Sequence, residues 1–458
     1  MAALRIIQQA AQRERSPRLS LRRSAGSICS PSPSIRSYTA NPLKPLPSFH
    51  PLIPLKILSP DTHKNGSLQS LPLPHLADLE SQSFAVKLYE IMLGLPILDT
   101  FMSNLQRHGR ISFYMTSYGE EGAVVGSAAA LGKHDEVYAQ YRGMCFKQGI
   151  LLWRGCSLDY LMAQCFGSVE DKSSKGRQMP VHYASKEHHF HSISSPLATQ
   201  IPQAAGAAYT LKRMRQKGER VDDCVVCYLG EGAASEGDFH AGVNMASVLG
   251  GPIVFFIRYS PRNFRTTGLP SLLRPPNNSR ETELLPGLLV RYGIDAIRVD
   301  GNDPLAVYLA TREARRRALE GAGRAVMVEA MTYRVGHHST SDDSSAYRNP
   351  NDVDQWRKRD NPINRMRGFL ESRAWWDATK EEERIKKWKS DISQSVKRTE
   401  KVFFFLSMSK PSLKDMWTDT YGTEQAHLDE QRKESNRIMQ KYSEYRVYKE
   451  ELKKFSHP

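Results

Sequence analysis

Between residues 195 and 331 short apolar runs alternate with segments of helical period, and this alternation constrains the fold of the chain more than any other feature. Residues 225–229, 252–257 and 325–331 are apolar almost throughout, as strands covered on both faces are, and 297–300 reads as a fourth strand. Residues 195–215, 238–249 and 304–319 read as helices, preceded by helical spacing over 83–92 and 122–131. The prediction is an α/β fold, a parallel sheet with helices on both faces. From Arg373 onward Trp375, Trp376 and a high density of Glu and Lys predict helices, with a break near Lys410-Pro411-Ser412.

The N-terminal segment is of another kind. Residues 1–38 are rich in Arg and Ser, with Glu14 the single acid, and Leu4 to Ala11 form a short amphipathic turn without an apolar signal core. That is the composition of a mitochondrial transit peptide, with Arg36-Ser37-Tyr38 before Thr39 as a processing site and the mitochondrial matrix as destination. Residues 39–82 begin dense in Pro, Ser and Leu without a sustained period and read as an extended arm that wraps a partner or stays disordered. Residues 1–60 hold nine basic side chains against Glu14, about half of the formal +15 of the whole chain. The folded body is therefore nearly balanced, and no nucleic-acid partner is expected. The local basic run Arg315-Arg316-Arg317 has Glu313 and Glu320 beside it, which favours a solvated or interface face. No apolar run approaches the roughly 18 to 20 residues of a membrane span, so no membrane partner is expected.

Metal and redox chemistry find little support. Cys224 and Cys227 have CxxC spacing, but on a strand residues three apart point to opposite faces. His188, His189 and His191 have no cysteine or acid at zinc-ligand spacing. The chemistry-bearing feature is Gly230-Glu231-Gly232-Ala233-Ala234-Ser235-Glu236-Gly237, placed between a strand and a helix. Glycines there let the backbone approach a phosphate, and a carboxylate between them suits a magnesium ion that bridges diphosphate oxygens. Alone, the same pattern more often marks a tight turn.

Its companions change that reading. Residues 109–122 (Gly-Arg-Ile-Ser-Phe-Tyr-Met to Gly-Glu-Glu-Gly), 176–182 (Gly-Arg-Gln-Met-Pro-Val-His), 194–200 (Ser-Ser-Pro-Leu-Ala-Thr-Gln), the Gly-Glu-Gly turn and 336–348 (Gly-His-His-Ser-Thr-Ser-Asp-Asp-Ser-Ser-Ala-Tyr-Arg) follow one another in this order. Together they resemble the alpha subunits of branched-chain 2-oxo acid (2-oxoisovalerate) dehydrogenases, thiamine diphosphate enzymes of mitochondria. The resemblance covers about residues 83–376. Pyruvate dehydrogenase alpha subunits, a related alternative, have a single His and a Pro-Gly pair where this chain has His337-His338 and Asp343-Ser344-Ser345.

The resemblance implies a thiamine diphosphate-binding body over 83–372, followed by a C-terminal helical extension over 373–458. It implies cofactor contacts from Tyr141, Arg142, Ser195, Gly230, Gly232, Ala233, Arg258 and His338, with Glu231 on magnesium. Ser194, Pro196, Thr199 and Gln200 would surround potassium, with Ser195 also a candidate helix N-cap. It further implies decarboxylation of branched-chain 2-oxo acids with transfer of the acyl group to lipoamide, the 3-methyl-2-oxobutanoate dehydrogenase (2-methylpropanoyl-transferring) reaction, in which His338 assists the transfer. Partners would be a beta subunit in an α2β2 heterotetramer, a lipoyl-bearing acyltransferase core, and a kinase and phosphatase acting on Ser339. No beta-type half follows in the sequence.

The chain departs from the family pattern after residue 257. The family runs from this strand into Arg-Asn-Asn-Gly and an aromatic residue, whereas here Arg258-Tyr259-Ser260-Pro261-Arg262-Asn263-Phe264 puts Ser260 on a magnesium-ligand position and Arg262 on the aromatic one. An Arg beside a divalent cation is unfavourable. Foreign character persists to Val290, and Met144-Cys145-Phe146-Lys147 also looks inserted. Either the subunit is divergent, or these stretches were read in a wrong frame or from unspliced introns, which their abrupt edges favour; on both readings weakened cofactor binding is expected, and a non-catalytic assembly subunit is the alternative function. Removal of residues 1–38 is expected to leave folding intact and to match the imported form; N-terminal sequencing of mitochondrial protein that finds Met1 retained refutes this.

Overall fold

In this computed structural model the described residues are 56–58, 69–70, 81–141, 145–259, 292–336, 344, 350–359, 361–405, 416–417, 422–423, 425–445, 449 and 452. All lie in the second of the two units into which the chain divides, Met1–Ser48 and Phe49–Pro458. In chain order the elements are β1 (Lys56–Leu58), β2 (Gln69–Ser70), α1 (Gln82–Arg107), α2 (Glu121–Ala129), β3 (Glu136–Tyr138), α3 (Cys145–Trp153), α4 (Leu158–Phe166) and α5 (Gln200–Gln216). There follow β4 (Val225–Gly230), α6 (Gly237–Leu249), β5 (Ile253–Tyr259), β6 (Asp295–Asp300), α7 (Pro304–Ala318), β7 (Ala325–Met331), α8 (Pro350–Arg359), α9 (Pro362–Ser372), α10 (Ala378–Phe405) and α11 (Ala426–Lys441).

The strands form one sheet in the order β2-β1-β6-β7-β5-β4-β3. From β6 to β3 every pairing is parallel, with Val226 opposite Val254 and Val254 opposite Val326 at its centre. The expected arm over 39–82 contributes β1 and β2, an antiparallel edge in which Lys56 pairs with Arg298 and Leu58 with Ala296. At three and two residues these strands are too short to display a period.

The continuous apolar character of the central strands has the expected cause. Val225, Cys227 and Leu229 face one core, shared with Ile201, Ala205 and Ala208 of α5 and Phe239 and Val243 of α6. Cys224, Val226 and Tyr228 face the other, shared with Leu88 of α1, Val124 of α2 and Val307 of α7. Cys224 and Cys227 thus lie in different cores, buried as free thiols. Helix α10, which the sequence pattern set apart as an extension, joins the second core through Ile392 and Val396. Its Trp388 Nε1 donates to Glu90 O (3.0 Å), and the missing side chain of Gly94 makes room for the indole, which a Cβ there would meet at 2.3 Å.

Each member of the basic triplet of α7 forms ion pairs within the chain, Arg316 while half exposed. Arg316 and Arg317 pair with Glu313, and Arg317 also reaches Asp295. Arg315 grips the buried Asp135 with Nε (2.7 Å) and Nη2 (3.0 Å). The same carboxylate accepts from Gly132 N (2.6 Å) and Cys224 N (3.0 Å), so it fastens the approach to β3, the start of β4 and α7 at one point. Asp135→Ala removes the charge partner of the Arg315 guanidinium, which among the described residues keeps only the carbonyl of Asp222 (2.5 Å), and strands two backbone donors. It is expected to lower unfolding stability by about 3–5 kcal/mol in urea titrations, and a loss below about 1 kcal/mol contradicts the assignment.

Candidate active site

The carboxyl ends of β4 and β5 form a rim of the kind at which open parallel sheets bind ligands. Strand β4 ends in Gly230, and the chain turns through Glu231 and Gly232 into a 3-10 turn (Ala233–Ser235) before α6. Space lies open where a Cβ on Gly232 would be, whereas one on Gly230 would come within 3.1 Å of the Arg258 guanidinium. Arg258, at the end of β5, is held at both ends. Its carbonyl accepts Glu231 N (3.1 Å), and its Nη1 pairs with Glu120 Oε2 (2.9 Å) in a site almost closed to water. Glu120 stands at the N-terminal cap of α2, within the Gly119-Glu120-Glu121-Gly122 motif, where the sequence signal was present without a role attached to it.

Glu231 has one carboxylate oxygen, Oε2, that is buried and without a hydrogen-bond partner among the described residues. Burial pushes its pKa up, while the charge of Arg258 opposes the rise. An orphaned, water-excluded carboxylate oxygen between two glycines suits a hard cation. Behind the rim, burial lifts Glu121 to about 8 and Asp99 to about 6. Both are bonded internally: Glu121 accepts Gly119 N, and Asp99 accepts Tyr114 Oη (2.8 Å) and Ser117 N (2.5 Å).

A second group lies before α5. Ser194 Oγ and Thr199 Oγ1 are 2.7 Å apart, Thr199 Oγ1 lies 3.4 Å from Pro196 O, and the buried Gln200 fixes its amide by donating to Tyr228 O of β4 (3.1 Å). Gln200 Oε1 is then left buried without a partner among the described residues. The hydroxyls of Ser194 and Thr199, the carbonyl of Pro196 and the orphaned Gln200 Oε1 are neutral oxygen donors, of the type a monovalent cation takes. The helix begins at Gln200, not at 195, and Ser195 is no N-cap: Thr199 holds that position, directly after Ala198 at φ 66°, a conformation no helix continues through. Ser195 Oγ instead meets His182 Nε2 at 2.8 Å, and the His182 ring stacks on Tyr141 (5.6 Å between centroids, 13°). His182, Ser194, Ser195 and Pro196 border an open cleft of about 650 Å³, lined also by Tyr138 and His191.

Of the residues singled out in the sequence, Glu231, Gly230, Gly232, Ala233 and Arg258 come together at the rim; Ser194, Ser195 and Pro196 line the cleft, Thr199 bonds to Ser194, Tyr141 stacks on the cleft residue His182, and Gln200 bonds to β4. Arg142, His338 and Ser339 lie outside the described residues, as do Ser260, Arg262 and the stretch to Val290. Helix α3 incorporates Lys147, whose buried Nζ donates to Val181 O (2.6 Å). Two of the three histidines that lack an acid at zinc-ligand spacing meet one from β3: Glu136 lies 2.9 Å from His191 Nε2 and 3.2 Å from His189 Nδ1, and it accepts Arg220 Nη1 (2.7 Å). Among the described residues no helix is long and apolar enough to cross a membrane.

Residues 89–403 match the dehydrogenase E1 component family, and the chain belongs to that family. Within it, the chain is similar to the mitochondrial 2-oxoisovalerate dehydrogenase subunit alpha of Homo sapiens, 46% identical over 372 residues that cover 81% of this chain and 77% of that protein. The Macaca fascicularis protein of the same name is 48% identical over 373 residues, with the same coverage. Subunit alpha 1 of Arabidopsis thaliana is 42% identical over 354 residues, 77% of this chain and 69% of that protein.

Burial opposes ionisation of Glu136, but the bonds from His191, Arg220 and His189 outweigh it and hold the pKa down at about 2. A carboxylate depressed in the folded state adds stability above its unfolded pKa and loses it as pH falls through the folded value. Glu136→Gln is therefore expected to lower the thermal midpoint at pH 7, with the gap to the parent protein closing between about pH 4.5 and 2; a pH-independent gap contradicts the ion-pair account.

Proposed function

We propose that this chain is the alpha subunit of a mitochondrial branched-chain 2-oxo acid dehydrogenase, which decarboxylates its substrate with thiamine diphosphate and works with a beta subunit. Family membership and the three relatives support the activity, the cofactor and the need for a beta partner. One observation of the chain itself carries the reading: the orphaned, buried Oε2 of Glu231 between two glycines at the strand-end rim. Bound there, thiamine diphosphate supplies the electron sink for loss of carbon dioxide and the acyl carrier for transfer to lipoamide.

The chain's own residues have the following tasks. Gly232 and Ala233 expose backbone at the turn for diphosphate, and Glu231 ligates magnesium, whose charge relieves the penalty of burying the carboxylate. Ser194, Pro196, Thr199 and Gln200 hold potassium, which would fix the turn into α5 on the strand that bears Glu231. Arg258 acts mainly by tying the turn to Glu120, and its charge counters the rise that burial imposes on Glu231. Tyr141 and Ser195 contact the cofactor from the cleft, with Arg142 pairing its diphosphate. His338 moves a proton during acyl transfer, and Ser339 beside it is the phosphorylation site of a regulatory kinase and phosphatase. The lipoyl-bearing core receives the acyl group.

With the beta subunit present, Glu231→Ala is expected to abolish calorimetric binding of thiamine diphosphate with magnesium. His338→Ala should keep binding and lose about 10²–10⁴-fold in lipoamide acylation. Equal loss of cofactor affinity in both variants contradicts these roles. Assembly with the beta subunit but no cofactor binding by the parent chain favours an assembly subunit, in keeping with the departure after Arg258.

A further inference from the structure

We propose that His182 is a positioning residue of the cofactor site: a neutral imidazole that takes the hydroxyl proton of Ser195 and so turns the oxygen lone pairs of Ser195 toward the cleft. The proposal rests on the reading of Ser195 as a cofactor contact and extends it to a residue with no role so far.

The hydrogen-bond inventory sets the polarity. The ring is buried, with Nδ1 3.0 Å from Pro180 O and Nε2 2.8 Å from Ser195 Oγ. A carbonyl oxygen only accepts, so Nδ1 carries the proton. In a ring with one proton Nε2 is then an acceptor, and the Ser195 hydroxyl donates to it. Burial lowers the pKa of His182, which keeps the ring neutral.

The backbone carries the second argument. Val181, fully buried, sits at φ 65°, a left-handed conformation that a β-branched residue avoids. Such strain persists where the surroundings over-determine it. Here Val181 N donates to Gln164 Oε1 (2.8 Å), Val181 O accepts Lys147 Nζ (2.6 Å), and Gln164 Nε2 donates to Met179 O (2.6 Å). What this forced turn achieves is the direction of the next side chain, an imidazole lying flat on Tyr141 and bonded to Ser195. A residue serving only to fill space would need neither the strain nor the two buried polar anchors that enforce it.

The test is a double-variant cycle on thiamine diphosphate affinity, read by calorimetry on the full chain assembled with its beta subunit. His182→Phe keeps the volume and the stacking but removes the acceptor. Its affinity is expected to fall about fivefold to tenfold, that of Ser195→Ala by a similar factor, and that of the double variant by no more than either alone. His182→Gln, whose amide oxygen reaches the Nε2 position, is expected to restore most of the affinity. It also serves as the decisive variant if His182→Phe does not assemble: a loss of fivefold or more in His182→Gln overturns the proposal. Losses that multiply in the double variant overturn the role of His182 while leaving Ser195 a cofactor contact. Unchanged affinity in Ser195→Ala, or no cofactor binding by the parent complex, overturns the underlying reading and this proposal with it.

Discussion

The buried pair between Arg258 and Glu120 holds the functional end of the molecule together. It joins the last turn of the sheet's fifth strand to the cap of α2, 138 positions earlier in the chain, with side chains almost closed to water. Neither charge is tolerable there alone, since a buried ion that loses its partner is strongly destabilising. Through its carbonyl, Arg258 also receives Glu231 N, so the Gly-Glu-Gly turn hangs from the same residue. The turn ahead of α2 is closed on its other side by the exit of β7, where Val335 N donates to Tyr118 O (2.9 Å). Gly119, at φ 94°, takes a position in which a Cβ would lie 2.6 Å from Tyr333 O. The ends of three parallel strands and one helix cap are thereby locked into a common rim.

That rim and the cleft beside β3 share one mechanical frame. Tyr228, on β4, gives its carbonyl to Gln200 and its hydroxyl to Ser127 of α2 (3.2 Å). Gln200, next to the oxygen cluster before α5, and Glu231 are thus tied to the same strand, one by a hydrogen bond and the other by the chain itself. In both places a buried acceptor, Glu231 Oε2 and Gln200 Oε1, has no hydrogen-bond partner among the described residues.

Much of this architecture was legible from the residues. The helix over 304–319 was expected one residue longer than its actual end at Ala318, and the strand over 325–331 was read to its last residue. CxxC spacing on a strand led directly to two thiols in separate cores. Other features were not legible, for identifiable reasons. Ser195 looked like a helix start because Ser before Pro commonly is one. The left-handed Ala198 delays the helix to Gln200, and nothing in Leu-Ala-Thr announces that conformation. His182 stood in a recognised motif, but its role depends on a strained turn held by Gln164 and Lys147, neither near it in sequence.

Taken by itself, the sequence determined the layers, the parallel sheet and the Gly-Glu-Gly turn, because apolar period and turn chemistry are local properties that a few neighbouring residues suffice to express. The tertiary structure alone decided which charges meet. Arg315 finds Asp135 across 180 positions, His189 and His191 find Glu136 across more than 50, and Arg258 finds Glu120 across 138. A charged side chain carries no mark of its distant partner; burial of Asp135 and Glu120 makes their pairings obligatory, whereas the histidines beside Glu136 stay partly exposed and meet it only through the packing of the chain.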